Sequence, residues 1–226
     1  MTAKMQTKSD AQIQQEVLRE MKWDTRVEET EVGVAVDRGV VTLTGAVGSY
    51  GKKIAAQEAA HRVFGVLDVA NDIQVRLPGT MARSDTEIAQ AVRNALEWDA
   101  WVPEERIKST VSNGCVTLEG NVDLLRERED AERAIRRLAG VRAVTNKIEV
   151  NPSRVAPDDL REAIEAALER RAEREARRIK VEVHDSKVTL SGCVRSWAEK
   201  RAILGTVSHA PGVRAVDENL FVDPLF

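Results

Sequence analysis

Gly39-Val40-Val41-Thr42-Leu43-Thr44-Gly45 decides the fold, because the chain writes it three times. It returns 75 residues later as Gly114-Cys115-Val116-Thr117-Leu118-Glu119-Gly120, and 72 residues after that as Ser186-Lys187-Val188-Thr189-Leu190-Ser191-Gly192. A second block follows each copy at a constant distance of 26 residues. It reads Gly65-Val-Leu-Asp-Val-Ala-Asn-Asp-Ile-Gln-Val75, Gly140-Val-Arg-Ala-Val-Thr-Asn-Lys-Ile-Glu-Val150 and Gly212-Val-Arg-Ala-Val-Asp-Glu-Asn-Leu-Phe-Val222. A third block precedes each copy: Ser9-Asp-Ala-Gln-Ile13, Ser84-Asp-Thr-Glu-Ile88 and, altered, Ala156-Pro-Asp-Asp-Leu160. Ordered blocks at fixed spacing are the signature of a repeat architecture.

Working outward from the Val-Thr-Leu strand, each repeat resolves into the same five elements. Ile13, Val17 and Met21 recur at helical spacing, as do Ile88, Val92, Leu96 and Leu160, Ile164, Leu168, with Ser9 or Asp10 as the first N-cap. Alternation at Val32, Val34, Val36 predicts a half-buried strand, matched by Ile107, Ser109, Val111 and Ile179, Val181, Val183. Asp37-Arg38-Gly39, Ser112-Asn113-Gly114 and His184-Asp185-Ser186 are the hairpin turns, and Asn-Gly is the strongest of these signals. Gly45, Gly120 and Gly192 close the second strand where a side chain does not fit. A second helix over about 49–63 turns Ala56, Ala60 and Val63 inward, and a last strand carries Val69, Ile73 and Val75. The expected fold is α+β: three tandem αββαβ two-layer units, each with two helices on one face of a three-stranded mixed sheet. The expected boundaries are a tail at 1–8 and repeats at 9–77, 84–150 and 156–226, joined by short proline-containing connectors.

The 226 residues carry a net charge of −3, so no global attraction to nucleic acid or to an anionic membrane is expected, and any such attraction must be local. No apolar run is long enough to span a bilayer. The N-terminus lacks the apolar core of a secretory leader, so the chain is expected in the cytoplasm as it stands, or in the periplasm if a leader had been trimmed. Cys115 and Cys193 lie in valine-rich segments and read as small buried hydrophobes. His61, His184 and His209 fall at non-equivalent positions and read as solvated side chains; no metal site, cofactor motif or catalytic constellation is expected.

The Val-Thr-Leu-x-Gly strand, the helix after it and Gly-Val-x-x-Val-x-Asn-x-Ile-x-Val together resemble the BON domain (bacterial osmotically inducible and nodulation) over nearly the whole chain. Repeat 3 departs from the pattern at Ser186 for the turn glycine, Glu218 for the asparagine and Arg170 for the tryptophan ending the first helix. The resemblance implies a non-enzymatic, osmotic-stress-associated protein like the hyperosmotically inducible envelope proteins. It implies as partners an envelope protein or anionic phospholipid. The alternative it implies is a cytosolic interaction or potassium-sensing module.

Two groups of residues are candidates for contact. Arg170, Arg171, Arg174, Arg177, Arg178 and Lys180 form a basic run interrupted by two glutamates; it reads either as a cationic helix end favourable to the helix dipole or as a phosphate- or lipid-headgroup patch. Trp23 and Trp98 occupy equivalent positions, with Trp101 one turn beyond. Each indole is expected to cap the core of its own unit; the sharper reading is an exposed aromatic that anchors a partner or enters a membrane interface. Trp197, whose equivalents are Tyr50 and Leu125, is expected to be a packing residue.

Overall fold

The computed structural model describes residues 8–79, 83–153, 155–171 and 179–223. In the first repeat α1 (Asp10–Trp23) precedes the hairpin β1 (Val32–Asp37) and β2 (Val40–Val47); α2 (Tyr50–Arg62) follows, then a third strand in two pieces, β3 (Asp68–Asn71) and β4 (Gln74–Val75). The second repeat runs α3 (Asp85–Trp98), β5 (Ile107–Ser112), β6 (Cys115–Val122), α4 (Leu125–Ile135) and β7 (Ala143–Val150). The third runs α5 (Pro157–Arg171), β8 (Ile179–His184), β9 (Lys187–Val194), α6 (Trp197–Ser208) and β10 (Ala215–Val222). The fold is therefore α+β, three times α-β-β-α-β. The Val-Thr-Leu strand is central in every sheet. β2 pairs antiparallel with β1 and parallel with β3 and β4. β6 pairs the same way with β5 and β7, and β9 lies between β8 and β10.

The helical stripes are the cores. Ile13, Val17 and Met21 are buried against Val41 and Leu43 of β2, with Ala55, Ala56, Ala59 and Ala60 supplying the inner face of α2. Short alanine side chains let α2 lie close to the sheet, so the core packs with few aromatics. Each fully buried Leu, Ile or Met contributes about 1.5–3 kcal/mol. Ser9 and Ser84 cap α1 and α3 through reciprocal bonds with Gln12 and Glu87. At the equivalent position in repeat 3 stands Ala156, which has no side-chain oxygen to offer; its carbonyl accepts the Leu160 amide (3.0 Å).

The hairpin turns place two successive residues at positive φ: Arg38 and Gly39, Asn113 and Gly114, Asp185 and Ser186. That is the two-residue turn whose twist matches the strands. In repeats 1 and 2 an aspartate from the first helix holds the turn. Asp10 accepts the amides of Arg38 (2.8 Å) and Gly39 (2.9 Å), and Asp85 accepts those of Asn113 (2.8 Å) and Gly114 (2.9 Å). Repeat 3 puts Pro157 where the aspartate would be, and its turn carries Ser186 at φ 65° in place of glycine.

Gly45 and Gly120 do not close the central strand, which runs two residues further in each repeat, but the steric reading holds for both. A Cβ on Gly45 would sit 2.2 Å from the Glu31 carbonyl oxygen, and one on Gly120 2.1 Å from that of Arg106. The asparagine of the second block is a strand-to-helix clamp. The Asn146 amide donates to the Arg128 carbonyl (2.8 Å) and to Glu132 (3.3 Å), while its oxygen accepts the Ile148 amide (3.1 Å). Asn71 repeats this with Lys53, Gln57 and Ile73.

The cysteines differ from expectation: Cys115 is exposed and Cys193 half-buried. Strand alternation is the cause. Val116 and Leu118 take the inward positions of β6, so Cys115 faces out.

Candidate functional site

The first helices of repeats 1 and 2 end in indoles that point into solvent. Trp23 is 84% exposed, Trp98 87% and Trp101 65%. This corrects the expectation that they cap their cores. Trp23 stands two positions past Met21, and Trp98 two past Leu96; at 100° per residue that is about 200° around the helix from the buried stripe. The periodicity that buries Met21 and Leu96 therefore turns Trp23 and Trp98 outward.

Behind each indole the chain turns back through an aspartate. Asp24 and Asp99 accept the amides of Arg26 and Trp101 respectively, both at 3.1 Å. In repeat 1 this corner is a charge network. Asp24 accepts from the guanidinium groups of Arg26 (2.8 Å) and Arg62 (2.7 Å), Arg62 also pairs with Glu20 (2.6 Å), and Arg26 with Glu58 (3.1 Å). The hydrogen bonds from Arg26, then those from Arg62, hold the Asp24 carboxyl far below the usual carboxylate range despite its burial. In repeat 2 Trp101 takes the place of Arg26, and the Arg126 guanidinium lies 4.5 Å from its ring centroid. That contact is a cation over an aromatic face.

The basic run is only partly within the described residues. Arg174, Arg177 and Arg178 lie outside them, as does the Arg171 side chain. Arg170 is exposed at the end of α5, where repeats 1 and 2 carry Trp23 and Trp98. It borders a shallow cleft of about 350 Å³ between α5 and α6, lined by Ala163, Ala167, Thr206, His209, Ala210 and Pro211. Lys180 is exposed at the start of β8 and pairs with Glu182 at 2.5 Å.

The histidines divide. His184 is exposed at the end of β8, and the exposed His209 has Nδ1 2.5 Å from the Gly205 carbonyl. His61 is not the solvated side chain that its sequence context suggests: its ring is half-buried and stacks on Trp197, centroids 3.9 Å apart and planes inclined by 13°. Trp197 is a packing residue, but it packs on the core of the first repeat, for which no sequence signal existed. Among the described residues no group of three or more His, Cys, Asp or Glu is placed to hold a metal ion, and no helix is long and apolar enough to cross a membrane.

A BON domain family model matches residues 9–76, 84–152 and 157–224. Osmotically-inducible protein Y of Escherichia coli (strain K12) is 30% identical over 126 residues, covering 54% of this chain and 63% of that relative. The chain thus spans less than two thirds of the relative's length. Among solved structures, CdsD, a structural protein of the Type III secretion system of Chlamydia trachomatis, aligns with 92% of this chain and 91% of its own at 13% identity and a TM-score of 0.27. Its C-terminal domain aligns with 93% of this chain and 96% of its own at 13% identity and a TM-score of 0.28.

Proposed function

Because this chain belongs to the BON domain family, we propose that it is a non-enzymatic, stress-associated binding protein that docks on the anionic surface of an envelope membrane. The observation that carries the reading is the matched pair of exposed indoles, Trp23 and Trp98, at equivalent helix ends. An indole is stable at a membrane interface because its ring is apolar and its N–H still finds water or headgroup. Leaving one in water without a partner is unfavourable, and here the geometry repeats. The chain's net charge of −3 opposes approach to an anionic surface, so attraction has to be local. Arg126 over Trp101, and Arg170 at the third helix end, put cations at the matching corners of repeats 2 and 3. The shared name of the relative, osmotically inducible, supports the stress association.

Co-sedimentation with vesicles tests the proposal. The wild-type chain is expected to pellet with phosphatidylglycerol vesicles at low salt and to stay in solution with phosphatidylcholine. Equal recovery with both would remove the anionic-lipid reading and leave an envelope protein as the partner to seek.

A further inference from the structure

The start of α6 rests on the first repeat through a contact that nothing in the family match describes. Residues Cys193–Ala202 belong to the same compact unit as the first repeat. Trp197 is half-buried against that repeat's core cluster, alongside Val34, Val36, Val69 and Val75. The His61 ring stacks on it at 3.9 Å, nearly parallel, and the Lys200 ammonium lies 4.6 Å from the Trp197 centroid. The Trp197 Nε1 is buried with no hydrogen-bond partner in the described structure. The indole is therefore held by packing, by the stacked ring and by the Lys200 cation, with no hydrogen bond from its N–H to fix it. Such a contact is sensitive to the charge on the ring beside it. Tyr50 and Leu125 occupy the equivalent positions in the other repeats, and Arg136 and Ser208 the positions equivalent to His61, so the His-Trp pairing is particular to this junction.

We propose that the His61–Trp197 stack is a proton-released clasp, which holds the start of α6 on the first repeat while His61 is neutral and frees it when His61 is protonated. The charges facing His61 are of both signs. Arg201 and Lys200 approach from α6 and disfavour a second cation, whereas Asp68 from β3 and Glu58 from α2 itself favour one. A protonated imidazole also gains from the indole face. Burial outweighs these gains and, with Arg201 next, pushes the His61 imidazole down to about 4. Because this lies below the value of about 6.5 for a free histidine, the clasp contributes its full stabilisation above about pH 6.5. It loses that contribution as the pH falls toward and through 4. The clasp is independent of the lipid reading, since it concerns a contact within the chain.

The test uses the full chain carrying W23F, W98F and W101F, which leaves Trp197 as the single indole of the original four. Acrylamide quenching of Trp197 is followed from pH 7 to pH 4, with far-UV circular dichroism recorded in parallel. Quenching is expected to rise severalfold across that range while the secondary structure stays constant. Adding H61F, a ring that stacks and does not titrate, is expected to flatten the response. Adding H61R, a permanent cation, is expected to give the high, acid-like quenching already at pH 7. Flat quenching in the histidine form, a persisting pH response with H61F, or Trp197 exposure that rises only together with loss of helix signal would each overturn the proposal.

Discussion

At the scale of single residues, two aspartates account for much of what separates the repeats. Asp10 and Asp85 each receive two turn amides, and the turns they hold carry glycine at the second positive-φ position. Repeat 3 has lost both devices, with Pro157 in the aspartate's place and Ser186 in the glycine's. Ser186→Gly is therefore expected to raise unfolding stability by about 0.5–1 kcal/mol, because it relieves a left-handed serine. Asp85→Ala is expected to cost about 1–2 kcal/mol through two lost charge-assisted bonds. Chemical denaturation of both variants checks the pair; a neutral Asp85→Ala would mean that water replaces the carboxylate at no loss. The steric need for Gly120 was legible in the sequence as a glycine repeated late in the central strand. The aspartate latch was not, because it joins residues 28 and 29 positions apart and has no local pattern.

At the scale of elements, the charge network at the end of α1 has a defined pH signature. Asp24 is bound by Arg26 and Arg62, so its carboxyl is held far below the usual range in the folded chain. The network's stabilisation is therefore complete above the unfolded value of about 4 and falls as the solution is acidified below it. Asp24→Asn is expected to lower stability by about 1 kcal/mol at pH 7, since its arginine partners are partly exposed and screened, and to cost progressively less toward pH 2. Urea midpoints measured at both pH values decide this, and a pH-independent difference would contradict it. The helical periodicities gave the buried stripes of α1, α3 and α5 outright. They also contained the orientation of Trp23 and Trp98, two positions off the stripe. The core assignment failed because it weighed residue type, where large aromatics are usually buried, above angular position. Cys115 failed the same way: its apolar neighbours in sequence occupy the opposite face of the strand.

At the scale of the whole molecule, repetition specifies a scaffold, and the proposed docking uses surfaces outside the residues that all three copies share. The residues shared by all three copies are mostly core valines and leucines and backbone glycines, while the serine cap and the asparagine clamp belong to repeats 1 and 2; the exposed indoles and Arg170 stand outside the three-copy set. Contacts between segments far apart in sequence, such as His61 with Trp197, were illegible because neither partner sits in a shared motif and no period links them. The docking account rests on the indoles entering a lipid interface. Fluorescence quenching by brominated acyl chains reads that entry directly, with Trp197→Phe removing the one half-buried indole. Mixed with brominated phosphatidylglycerol vesicles, the Trp197→Phe chain is expected to lose a large part of its emission, and with brominated phosphatidylcholine almost none. Unquenched emission under conditions where the chain co-sediments with the anionic vesicles would show that Trp23, Trp98 and Trp101 stay in water, and would contradict the account.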